Sequence, residues 1–369
     1  MVDRVFVHIG LPKTATSYLQ TIIWSNRERL RERGVVVPGA ERRDHLWASR
    51  TVREQRSHAH TPARQRGAWA RIRAELTAAE GTGLISHEFF AAASADQAVA
   101  MVEALGPAEV HLVVTAREPL GLFTASWQES LKNGSTTPMP DYARQVSRRP
   151  TDIWNWRTLD LRLVLERWTA AVPPERVHVL VLDPAAARED VWHRFAGIVG
   201  LTTEGIDLSG SFPNSSMGVA EAETLRRVNA RLSGFDTAFD KGVYIRTFLA
   251  DERLVPRDGE RFLPEPDQVE DCRRRGEEAL DYLRRTPVDV VGDLDHLRVP
   301  DVVEPRRSTR SVTDEEVAAV AVDLVATMLG DVRRLRQESK AAPGDAGWRS
   351  RLRTLVRRDR VGGTADASG

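Results

Sequence analysis

Cysteine occurs once, at Cys272, in a chain of 369 residues, which excludes an intramolecular disulfide and the disulfide-stapled scaffolds of small secreted domains. Net charge is missing too. The 53 Lys and Arg residues match 53 Asp and Glu, so no global field draws the chain towards nucleic acid or an anionic membrane. There is no run of about 18 apolar residues, which excludes a membrane-spanning helix, and no charged start followed by an apolar stretch marks an export signal. These absences lead to the expectation of a cytoplasmic protein without integral membrane association. Lysine is scarce as well: it stands only at positions 13, 132, 241 and 340, and arginine fills the other cationic positions. A lysine kept under such a preference marks a place that wants a compact point charge, whereas arginine suits planar, bidentate recognition.

What the sequence does contain is most specific near its start. Val5, Phe6, Val7 and Ile9 form the apolar, β-branched and aromatic run of an interior parallel strand. Gly10 ends it. From Tyr18 onward, Leu19, Ile22, Ile23 and Leu30 recur at helical spacing, and Gly34 supplies a stop. The short loop between strand and helix therefore empties into a helix N-terminus. Unpaired N–H groups and the positive end of the helix dipole meet there, beside Lys13 and the hydroxyls of Thr14, Thr16 and Ser17. Such a place takes phosphate or sulfate. The nucleotide-triphosphate loop, G-x-x-x-x-G-K-[ST], is longer. Here Lys13 follows Gly10 by three positions, no second glycine intervenes, and Pro12 offers no N–H.

The stretch Gly10 to Ser17, Gly-Leu-Pro-Lys-Thr-Ala-Thr-Ser, resembles the 5′-phosphosulfate loop of sulfotransferases, written G-x-P-K-T-G-T-T. The resemblance implies a P-loop-like three-layer αβα fold with a central parallel sheet and extra C-terminal helices. It also implies 3′-phosphoadenosine 5′-phosphosulfate as sulfuryl donor, adenosine 3′,5′-bisphosphate as product, and no metal. Gly10, Pro12, Lys13, Thr14, Ala15, Thr16 and Ser17 would hold the donor. Ala15 stands where the pattern has glycine, and if that position needs positive φ, alanine costs about 1–2 kcal/mol.

Two further segments extend the resemblance. Val110, Leu112, Val113 and Val114 make a strand ending at Thr115-Ala116-Arg117, before a helix with Phe123, Trp127 and Leu131. This is similar to the sulfotransferase segment whose strand-end arginine and helix serine hold the 3′-phosphate. It implies Arg117 and, with Ala at 125, either Thr124 or the favoured Ser126; for Arg117 an ion pair with Glu118 is the alternative. Gly83 to Ser86 reads as a strand with His87 and Glu88 at its end, ahead of Phe89 and Phe90. A carboxylate beside such apolar bulk is expected to be raised towards neutrality, as suits a general base. The Ser-His-Glu stretch resembles the S-x-E of bacterial sulfotransferases, which implies Glu88 as base, with His87 as the other candidate. An acceptor hydroxyl or amine would attack sulfur in line, Glu88 would take its proton, and Lys13 with the loop amides would stabilise the leaving phosphate.

Elsewhere the pattern alternates strand and helix. Further strands are expected at Val35 to Val37, Val177 to Leu182 and Val288 to Val291. Helical stripes run at Leu161 to Trp168, Val191 to Val199, Leu225 to Leu232 and Val269 to Leu283, the last carrying a buried Cys272. Thr313 to Glu316 reads as a capping box before a core stripe of Val317, Val320, Ala321, Leu324, Val325 and Met328. With 41 % hydrophobic residues and no composition break before about 340, residues 1–340 read as one catalytic domain and 341–369 as a basic, mobile tail. Segments such as Val164 to Trp168, Pro174 to Val179, Val191 to Phe195 and Asn214 to Gly218 resemble sulfotransferase-like proteins of actinobacteria. Asn214 to Ser216 reads as a polar loop ahead of a helix.

The loops at residues 40–66 and 133–158 are expected to choose the acceptor, whether sugar, lipid, peptide, antibiotic scaffold or small phenol. Trp154 and Trp156 read as core residues, and His58 and His60 as a solvated loop rather than a metal site. In the tail, Trp348, Leu352, Leu355 and Val356 share a face opposite arginines, a pattern compatible with contact of 348–360 with a membrane surface. Oligomeric state is not written in these features. Two other readings compete. A kinase or NTPase would pair Lys13 with ATP and a magnesium held by Asp183, and a non-catalytic nucleotide-binding protein would keep the loop without the base.

Overall fold

In the computed structural model, which describes residues 1–210 and 216–341, six strands form one sheet. They are β1 (Arg4–His8), β2 (Val35–Val36), β3 (Thr82–Ser86), β4 (Glu109–Ala116), β5 (Val177–Val181) and β6 (Asp289–Val291). Every pairing is parallel and the order is β2-β3-β1-β4-β5-β6. The central strand is therefore β1, with β3 and β4 on either side.

Helices lie between the strands: α1 (Thr16–Ser25), α2 (Arg43–Val52), α3 (Ala68–Ala78), α4 (Ala95–Glu103), α5 (Pro119–Lys132), α6 (Leu161–Trp168), α7 (Asp190–Val199), α8 (Val219–Asn229) and α9 (Pro266–Arg285). On one face of the sheet, Phe6, Leu84, Val113 and Leu180 pack against Leu19, Ile22 and Ile23 of α1 and Trp192 and Phe195 of α7. On the other, Gly83 lets Leu76 of α3 approach Val5: a Cβ at Gly83 would lie 2.5 Å from Leu76. Helices on both faces make the three-layer αβα arrangement, and the middles of β1, β3, β4 and β5 are apolar and buried because both faces are covered there. Each fully buried Leu, Ile or Phe contributes about 1.5–3 kcal/mol.

The chain divides into two compact units, Met1–Thr313 and a second that begins at Asp314. In the second unit a helix spans Asp314–Ala341. Its Val325 and Met328, expected in the core, are exposed, together with Val322, Leu329, Val332 and Leu335. Residues 211–215 and 342–369, including Asn214 and the basic tail, lie outside the described residues. No helix among the described residues is long and apolar enough to cross a membrane. Cys272 is buried within α9.

Candidate active site

Because the sheet is parallel, the C-terminal ends of β3, β1 and β4 lie side by side at spacings of about 4.8 Å. They deliver three candidate groups to one edge: Glu88 after β3, Lys13 after β1 and Arg117 after β4.

After His8 the chain continues along β4, with Ile9 N donating to Val113 O and Leu11 N to Thr115 O. It then turns sharply. Gly10, Lys13 and Ala15 have φ of 48°, 69° and 60°, so the left-handed region is visited three times in six residues. Gly10 has a second reason to be glycine: a Cβ there would lie 2.4 Å from Thr16 Cγ2. Ala15 is the N-cap of α1 and pays the strain of its conformation without a side-chain cap. The N–H groups of Lys13 to Ser17 find no acceptor among the described residues, which is the anion-receptive arrangement of a helix start.

The loop rests on a buried hydrogen-bond chain that sequence reading missed. Thr14 Oγ1 donates to Leu11 O at 2.5 Å and accepts from Thr115 Oγ1 at 2.7 Å. Thr115 accepts from His8 Nε2 at 3.3 Å, and His8 Nδ1 accepts from Ser86 Oγ at 2.8 Å. Each hydroxyl has one proton, so the terminal carbonyl fixes the donors back to His8 Nε2–H, and in a neutral ring Nδ1 is then the acceptor. Burial pushes His8 down to about 4, consistent with that state. Three strand ends are thus tied to the turn. Thr14 and Thr16 are buried, and only Ser17 among the loop hydroxyls is exposed.

Lys13 Nζ lies 3.1 Å from Glu129 Oε2 on α5. Glu129 also pairs with Arg246, on a π-helical segment Lys241–Leu254. Burial would raise the Glu129 carboxyl, but Lys13, Arg246 and Lys132 together bring it down to about 2. Neither Glu129 nor Arg246 carries a signal in the sequence, since both arrive from distant segments.

Glu88 is anchored from α1. Gln20 Nε2 donates to Glu88 Oε2 at 2.9 Å, and Arg42 Nη2 donates to Gln20 Oε1 at 3.1 Å. The expected upward shift does not occur. Burial does push the carboxyl up, but His87, Glu88's own N–H, Gln20 and His8 outweigh it and hold it below its ordinary range. His87 Nδ1 accepts from Phe89 N at 3.1 Å, and burial brings its imidazole down to about 4. A neutral ring whose Nδ1 is engaged carries its proton on Nε2 and has no lone pair left for a substrate. Of the two candidates, Glu88 alone offers a free acceptor oxygen. His45, also neutral and brought by burial to about 4, clamps Ser86 through its backbone.

Arg117 is partly exposed, and its guanidinium lies 3.3 Å from Glu118, the carboxylate that caps α5 at Gly121. Ser126 does not face this edge. It is fully buried with its hydroxyl 2.7 Å from Tyr142 Oη, because the helix turns about 100° per residue and points it inward. Thr124 is partly exposed. Trp156 is buried as expected, whereas Trp154 is partly exposed against Phe89, ring centroids 5.9 Å apart. His58, expected to be solvated, is buried and paired with Thr51. No metal-ligating cluster occurs among the described residues. Comparisons with protein-family models, with curated proteins and with solved structures find no match in any of the three.

Proposed function

We propose that the protein is a sulfotransferase that moves the sulfuryl group of 3′-phosphoadenosine 5′-phosphosulfate to a hydroxyl or amine of a small-molecule, glycan or lipid acceptor. The observation that carries this reading is the turn Gly10 to Ser17. Its free N–H groups and Lys13 stand at the central strand end, with a cation and a carboxylate at the ends of the strands beside it. Lys13 and the loop amides stabilise the charge that grows on the leaving phosphate, an electrostatic role worth about 3–4 kcal/mol per donor in comparable sites. Arg117 with Thr124 holds the 3′-phosphate. Glu88, ionised and fixed by Gln20, takes the proton of the attacking group.

The ATP–magnesium reading is less well served. Asp183 follows β5, two strands and roughly 10 Å from β1, and its Oδ1 accepts from Ala185 N at 2.8 Å. Thermal-shift measurements separate the readings. Adenosine 3′,5′-bisphosphate is expected to stabilise the protein, and stabilisation by ATP with magnesium alone would reject the proposal. A gain of about 80 Da in an acceptor incubated with donor, lost in Lys13→Ala, tests the transfer itself.

A further inference from the structure

Around Glu88 the structure gathers three arginines against that one carboxylate. Arg53, 3 % exposed, donates to the carbonyls of Ser49 and Pro150, and its guanidinium lies 5.7 Å from the Phe89 ring centroid. Arg42 donates to Thr21 Oγ1, Ser17 O and Gln20 Oε1. Arg50, one turn before Arg53, is partly buried; its carbonyl accepts from Gln55 N, and its guanidinium has no hydrogen-bond or ion-pair partner among the described residues. All three guanidinium groups act on the His87 ring, and burial with the neighbouring Arg50 and Arg157 brings Arg53 down to about 9. His87, Phe89 and Trp154 continue the same wall as an aromatic row, with successive centroids 4.8 and 5.9 Å apart. Half-buried like charges are costly unless something neutralises them, and an anion is the missing component.

We propose that this wall is an anion-binding acceptor subsite. A carboxylate or phosphate on the acceptor is held by Arg50 and Arg42, with the rest of the molecule lying against Phe89 and Trp154 and its nucleophile directed at Glu88. The substrates are then acids. The word acceptor rests on the sulfotransferase reading, but the anion subsite itself does not.

The test therefore separates the two. Protein saturated with adenosine 3′,5′-bisphosphate, which fills the Lys13 loop, is titrated with inorganic phosphate and with benzoate; Trp fluorescence and melting temperature are followed, with benzyl alcohol as the neutral control. Saturable responses to phosphate or benzoate are expected. Arg50→Gln should raise their half-saturation by about tenfold or more without moving bisphosphate affinity, and Arg50→Lys should retain part of the response. A non-saturable response, an equal response to benzyl alcohol, or the same half-saturation in Arg50→Gln would overturn the proposal. Should the bisphosphate fail to bind, the donor reading falls alone, and the same wild-type and Arg50→Gln titrations, run on a Lys13→Ala background, still decide the subsite.

Discussion

The two sides of the candidate site handle positive charge in opposite ways. On the β4 side, Lys13 and Arg246 share Glu129, a nearly buried carboxylate in direct contact with both. On the β3 side, Arg42, Arg50 and Arg53 crowd around His87, and Glu88 is the carboxylate whose charge reaches Arg42. The first side pairs its cations directly with a carboxylate, so an incoming anionic ligand must compete with that group. The second is unbalanced and gains by receiving one. The contrast teaches that a lone cationic motif is a poor measure of a site's field: Lys13, the most conspicuous residue in the sequence, is the better compensated of the two.

The largest effects should come from the groups that the proposed transfer sets against the reacting atoms. Lys13→Ala is expected to lower turnover by about 10²–10³-fold, and Glu88→Gln by about 10²–10⁴-fold, both read as bisphosphate release with bisphosphate binding retained in Glu88→Gln. His87→Gln should cost far less. An equal loss in the two variants at 87 and 88 would break the distinction drawn from the engaged Nδ1. Because Glu88 is held below its ordinary range, the acid limb of the rate profile should fall below the usual glutamate region. A limb near neutrality would contradict the anchoring by Gln20.

A smaller effect probes the β4 side. The Glu129 carboxyl, near 4.5 when unfolded and about 2 when folded, contributes stability that is fully present above the unfolded value and is lost as pH falls through the folded one. Glu129→Gln should therefore flatten the loss of melting temperature between about pH 5 and 2. An unchanged acid profile would show that the Lys13 pairing carries no net stabilisation. Smallest of all, Ala15→Gly relieves a left-handed alanine against a greater loss of chain entropy. It should raise stability by up to about 1 kcal/mol in denaturant unfolding, without loss of bisphosphate binding.

The positions of all six strands were legible in the sequence, because a doubly covered sheet demands unbroken apolar runs that few other elements produce. The turn at Gly10 to Ser17 was legible because its parts are contiguous, down to the strain at Ala15. The place of Glu88 at a strand end was legible, but the direction of its shift was not: the deciding partners, Gln20, His8 and His87, are assembled by the fold. The inward turn of Ser126 onto Tyr142 was not legible, since it depends on helix phase, and Thr124 stands on the more open side. In the segment from Asp314, the apolar periodicity correctly announced a helix, yet periodicity alone does not say which stripe is covered, and Val325 and Met328 are exposed.

Cys272 gives the molecule a built-in clock. Its thiol lies fully buried in α9, and burial pushes it well above the ordinary thiol range, so alkylating reagents in neutral solution meet an unreactive group for as long as that helix stays docked. With no other sulfhydryl in the chain to compete, the rate of labelling reports how often α9 lifts away, and engineered surface cysteines can carry probes against a silent background.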